Sequence, residues 1–168
     1  TVENVRTCRQ NVLPAHSDHV WYRSEEELQA QKSSYRMCLN GIWKCCYAEN
    51  FDGTPDGFEQ CDFDVSDWDE IQVPGHIQLQ GYDKPSYNNV QYPWDGREPL
   101  HILETPEKYN PVMSYVTFFT VPQAMQSEEI RISFEGVESG MALWCNGSYV
   151  GYSEDSFTPH DFLLSPYL

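Results

Sequence analysis

Met141-Ala142-Leu143-Trp144-Cys145-Asn146-Gly147-Ser148-Tyr149-Val150-Gly151-Tyr152 places two runs rich in apolar and aromatic residues on either side of a single polar dipeptide. Asn-Gly is the pair best suited to the two positive-φ positions of a type I′ turn, whose twist matches that of the strands it joins. The stretch therefore predicts a β-hairpin, with strands over 141–145 and 148–152.

Working outward, the same sheet pattern recurs. Ile130, Ile132 and Phe134 alternate with Arg131, Ser133 and Glu135, the period-two signature of a strand with one wet face. Residues 115–121 are aromatic and β-branched and stop at Pro122, which predicts another strand. Asn40-Gly41 precedes a further strand over 42–47, and in a strand Cys45 and Cys46 point to opposite faces. Strands joined by long Pro- and Gly-bearing loops, with almost no helix, predict an all-β protein built as an antiparallel β-sandwich. The segment 73–111 differs: it is crowded with Pro, Gly, Tyr and Asn and has neither period. A loop of this length in a compact domain is usually functional or covered by another part of the protein.

The N-terminal region reads as an irregular arm. Residues 11–22 are extended and proline-marked, with Leu13, Val20, Trp21 and Tyr22 but no periodicity, so the arm has no core of its own and must lie against something else. Ser24-Glu25-Glu26-Glu27 has the Ser-x-x-Glu form of a capping box and predicts a short helix from Glu25 to about Gln31.

The 168 residues suit one domain and fall short of a barrel enzyme of ~250 residues. Hydrophobic residues make up 40%, enough for a core and against disorder. Aromatics reach 14%, which favours pleated sheets and would also suit a surface that stacks sugar rings. A net charge of −16 argues against nucleic acid and against an anionic membrane surface as partners. No stretch approaches the ~20 apolar residues of a membrane span. The first ten residues carry no apolar run, and the six cysteines lack a paired spacing. Reduced thiols and a cytoplasmic location are therefore expected.

Four motifs in order carry a family resemblance. The run from Val73-Pro74-Gly75-His76 through Gly81-Tyr82-Asp83-Lys84-Pro85, followed by Tyr87-Asn88-Asn89-Val90-Gln91-Tyr92-Pro93-Trp94, resembles the sugar-binding domain of glycoside hydrolase family 2 β-galactosidases. Leu13-Pro14-Ala15-His16 and Ser24-Glu25-Glu26 resemble the family's N-terminal arm. Leu39-Asn40-Gly41-Ile42-Trp43 resembles its first core strand, and Phe134-Glu135-Gly136-Val137 with Leu143-Trp144-Cys145-Asn146-Gly147 its central strands. The resemblance implies a jelly roll of the galactose-binding-domain type. An N-terminal arm over 1–36 would contact other subunits, and the jelly roll itself would occupy 37–168. Family members continue well beyond this point, so the jelly roll is expected to lack its last strands and the 141–152 hairpin to lack a neighbour. The implied parent is a retaining β-galactosidase that hydrolyses terminal β-D-galactosides such as lactose. It would be a homo-oligomer, tetrameric in relatives, using Mg²⁺ and Na⁺. Two alternatives stand beside it: a free-standing carbohydrate-binding module, and the sandwich of a β-glucuronidase or β-mannosidase.

A retaining glycosidase needs two carboxylates ~5–5.5 Å apart. Asp62, Asp64, Asp67, Asp69, Glu70, Glu135, Glu138, Glu154 and Asp155 offer no context that singles out a pair. The resemblance puts the catalytic glutamates in a barrel elsewhere, so no catalytic residue is expected in this chain and the chain alone is expected to be inactive. It also makes Asn89 a substrate-positioning residue that hydrogen-bonds a galactose hydroxyl, with Val90 a wall of the pocket. Asn suits that task, because its amide both donates and accepts. The bland reading of Asn89 is an Asx-turn that satisfies loop backbone. His16-x-x-His19 and the cysteines lack metal-ligand spacing, and Asn146-Gly147-Ser148, formally a glycosylation acceptor, lies in the predicted hairpin turn with no secretory signal beside it.

Overall fold

A computed structural model describes residues 6–85, 89, 94, 98–101 and 104–168. In chain order its strands are β1 (Arg9–Gln10), β2 (Gly41–Ala48), β3 (Asp69–Val73), β4 (Val112–Val116), β5 (Arg131–Phe134), β6 (Gly140–Cys145), β7 (Ser148–Glu154) and β8 (His160–Leu163). One helix, α1 (Glu25–Ala30), and four single 3₁₀ turns complete the regular structure of the described residues. Every strand pairing is antiparallel. The protein is all-β, as the sequence predicts, and its residues fall into two compact units.

The first unit holds residues up to Cys38 together with 59–62 and 119–168. The hairpin of β6 and β7 turns at Asn146 and Gly147 with φ of 49° and 77°, both positive as a type I′ turn requires. A three-stranded sheet runs β1-β7-β6, and β5 pairs with β8 in a two-stranded one. Val150 from β7, Phe162 from β8 and Leu164 form the fully buried centre, and Ile132, Phe134, Met141 and Leu143 pack around them. The alternation read at 130–135 holds in β5: Ile132 and Phe134 turn inward while Arg131 and Ser133 are exposed.

The N-terminal segment is a strand of this unit. Arg9 pairs with Ser153 and Gln10 with Tyr152, so β7 has neighbours on both sides. The expectation that the 141–152 hairpin lacks a neighbour therefore holds for one of its strands: β7 is flanked by β1, while β6 is an edge of the sheet among the described residues. Asn11 adopts φ 59° and donates its side-chain amide to the Val150 carbonyl at 2.8 Å. Val12 then bridges to Phe162, and the Leu13 N–H reaches the Asp161 carbonyl at 2.8 Å. The chain thus leaves β7 and joins β8 within three residues, too short a stretch for any period to reveal. Farther along the arm, Ser24 caps α1 by accepting from the Glu27 N–H. The Glu27 carboxylate accepts instead from the N–H groups of Arg23 and Ser34, so the return half of the capping box ties down flanking chain.

The second unit holds residues 39–58 and 63–118, built on the sheet β3-β2-β4. In β2, Cys45 is buried between Asp69 and Tyr115, and Cys46 pairs with Ser114 on the next pleat, so the two thiols do face opposite ways. The strand expected at 115–121 instead spans Val112–Val116. Its position is set by pairing, Val112 opposite Ala48 through Val116 opposite Lys44, and the chain leaves this unit after Phe118. The strand β3 escapes sequence reading because three of its five residues are polar: Ile71, 2% exposed, is its one fully buried side chain.

Candidate substrate-positioning site

The long loop begins where β3 ends, and its root is fastened by side chains acting as backbone. The Gln80 amide pairs with both main-chain groups of Gln72: its oxygen accepts from the Gln72 N–H at 2.9 Å, and its nitrogen donates to the Gln72 carbonyl at 3.0 Å. This locks the turn Ile77–Gln80 against the edge of β3. Gly81 then closes the turn at φ 98°, a conformation open to glycine but strained for other residues.

Tyr82 is the next anchor. Its hydroxyl donates to Asp69 Oδ2 at 2.9 Å and accepts from the Cys45 thiol at 3.6 Å, and its ring lies 6.0 Å from that of Tyr47. Burial, then the hydrogen bonds to Cys45 and Asp69, push the phenol well above its ordinary pKa, so Tyr82 stays protonated and keeps its donor. Burial likewise raises the Cys45 thiol. Asp83 follows at φ 57°, in the left-handed region that Asp tolerates better than most residues. The Tyr109 hydroxyl donates to Asp83 Oδ1 in a short contact across the loop. On the returning side, Asn110 N–H bonds the Glu49 carbonyl at 2.9 Å and Asn50 Nδ2 reaches the Lys108 carbonyl at 3.4 Å, next to the end of β2.

Asn89 lies within this loop and is exposed. Val90, the wall residue expected beside it, lies outside the described residues. Sequence reading singled out Asn89 but assigned no role to Asp69, Tyr82, Asp83 or Tyr109. The Gly81-Tyr82-Asp83 run was a family signal, whereas nothing local marks Tyr109 as the partner of Asp83.

Many of the acidic side chains already hold structure. Asp64 caps the Ser66 N–H at 2.8 Å, which lowers its pKa. Glu70 pairs with Lys44 at 3.3 Å, Glu135 with Arg36 at 3.2 Å, and Glu154 accepts from the Tyr152 hydroxyl at 2.7 Å. Asp155 ties its own loop by accepting from the Phe157 N–H and the Thr158 hydroxyl, and its pKa falls accordingly. His16 pairs with Asp161. Among the described residues, no three of His, Cys, Asp and Glu gather as a metal site would require. No helix of the described residues is long and apolar enough to cross a membrane.

The fold and the loop root define an all-β module that presents a polar, aromatic loop from one end of an antiparallel sheet. The chain belongs to the glycosyl hydrolases family 2: residues 37–168 match the family's sugar binding domain. It is 52% identical to a β-galactosidase of Halalkalibacterium halodurans, over 99% of this chain and 16% of that protein. It is 46% identical to one from Streptococcus thermophilus, over 94% of this chain and 15% of the relative. With a β-galactosidase large subunit of Lactobacillus helveticus the identity is 42%, over 99% of this chain and 28% of the relative. The chain thus spans about a sixth of the first two of these relatives.

Proposed function

We propose that this chain is the N-terminal sugar-binding portion of a retaining β-galactosidase acting on terminal β-D-galactosides such as lactose. The supporting observation is 42–52% sequence identity to β-galactosidases along nearly the whole chain, arm and loop included. In this reading Asn89 hydrogen-bonds a hydroxyl of the galactose and Val90 lines the pocket. The two glutamates that protonate the leaving group and form the glycosyl-enzyme belong to the rest of the parent protein. The chain contributes orientation: an amide fixed on an anchored loop tells one hydroxyl configuration from another, because a misplaced hydroxyl leaves the amide unpaired. The whole enzyme is taken as a cytoplasmic homo-oligomer whose arm meets other subunits, with Mg²⁺ and Na⁺ bound outside the residues described here.

The test is Asn89→Ala in the whole enzyme. Losing a hydrogen bond to the sugar is expected to lower kcat/KM on a chromogenic β-galactoside by about 10- to 100-fold, with an unchanged melting temperature. An unaltered kcat/KM would remove Asn89 from the site. The chain by itself is expected to leave the same substrate intact, and hydrolysis by it at an enzyme-like rate would overturn the division of labour.

A further inference from the structure

We propose that Asp83 and Tyr109 are positioning residues that close the neck of the loop carrying Asn89 and so set where Asn89 meets the sugar. This rests on the substrate role proposed above for Asn89.

Asp83 and Tyr109 stand 26 positions apart in the chain. A contact between residues so far apart in sequence must offset the entropy of closing the chain between them, so it is one that the fold selects. Each end is separately moored, one to β3 and the other to the residues that follow β2. On the outgoing side Tyr82 holds Asp69 of β3 at 2.9 Å. On the returning side Asn110 holds the Glu49 carbonyl, and Lys108 accepts from Asn50. The Tyr109–Asp83 hydrogen bond joins the two moorings. A phenol donating to a carboxylate is a charge-assisted bond, stronger than one between neutral groups. The left-handed backbone at Asp83 turns the chain into the loop, and Asn89 follows six residues later. A neck displaced by about 1 Å would misplace an amide that must meet a hydroxyl at hydrogen-bond distance, and errors of that size carry large rate penalties.

The experiment uses the whole enzyme with Tyr109→Phe, Asp83→Ala, Asp83→Asn, Asn89→Ala and the Tyr109→Phe/Asn89→Ala double variant. It reads KM, kcat and melting temperature on a chromogenic β-galactoside. Tyr109→Phe is expected to raise KM about three- to tenfold. Asp83→Asn keeps an acceptor oxygen and is expected to recover most of what Asp83→Ala loses. In the Asn89→Ala background, Tyr109→Phe is expected to add nothing to KM, because the group it positions is gone. A Tyr109→Phe loss that adds independently to that of Asn89→Ala would overturn the proposal. So would a lowered melting temperature with KM unmoved. An Asn89→Ala enzyme with normal kinetics would instead sink the substrate role, and this inference with it.

Discussion

His16 and Asp161 join the N-terminal arm to β8: the imidazole Nε2 lies 2.5 Å from Asp161 Oδ2, and Nδ1 lies 2.9 Å from the Ser17 carbonyl. Both ring nitrogens face acceptors, and only the imidazolium can donate from both. The Ser17 hydrogen bond, then the Asp161 charge and hydrogen bond, with a smaller push from Asp18, raise the His16 pKa above 6.5.

A group whose pKa rises on folding stabilises the fold fully below its unfolded value and loses that contribution as pH climbs through the folded value. The arm is therefore expected to hold most firmly below pH 6.5 and to loosen above it. Hydrogen exchange at the Leu13 N–H, measured across this range, reads the effect after correction for intrinsic exchange. His16→Gln should flatten the profile, and an NMR titration giving His16 an ordinary pKa would contradict the assignment.

Gly151 is the point where the arm, β7 and β8 press together. A Cβ there would lie 2.5 Å from the Gln10 carbonyl oxygen and 2.7 Å from the Phe162 ring. Neither can yield easily, one being backbone and the other the centre of the core. Gly151→Ala is expected to destabilise by about 2 kcal/mol or more, seen as a lower urea midpoint and faster proteolysis of the arm.

Phe162 is fully buried and meets Phe134 edge-on at 6.4 Å, whereas Phe157 in the preceding loop is 95% exposed. Phe162→Ala should cost about 3–5 kcal/mol in chemical denaturation. Phe157→Ala should change stability by no more than about 0.5 kcal/mol. Equal effects would mean that burial does not rank these two rings.

The cysteines should separate by reactivity, since the thiolate is the reactive form. Cys8, Cys38 and Cys61 are exposed, and Cys45 is buried with its thiol pKa raised. Alkylation at pH 8 followed by mass spectrometry is expected to label the first three quickly and Cys45 only on unfolding. Early labelling of Cys45 would show that β2 opens readily.

Local chemistry made part of this legible. Asn146-Gly147 announced its turn, the alternation at 130–135 announced β5, and Ser24 announced α1, because each depends on neighbours within a few residues. Composition alone places the Val112–Val116 strand several residues late, since β-branched residues continue past the point where β2 stops offering partners. The strands β1 and β8 carry no local signal because they are short and owe their existence to pairing with distant chain.

By itself the sequence determined an all-β protein, its central hairpin and its kinship with the family 2 sugar-binding domains, because turn chemistry, side-chain alternation and ordered motifs are written locally. The pairing of the arm with β7, its single bridge to β8, and the meeting of Tyr109 with Asp83 were settled by tertiary packing alone. All are contacts between residues far apart in the chain. Such contacts are chosen by which backbone edges remain unpaired and which buried polar groups still need partners once the core has formed.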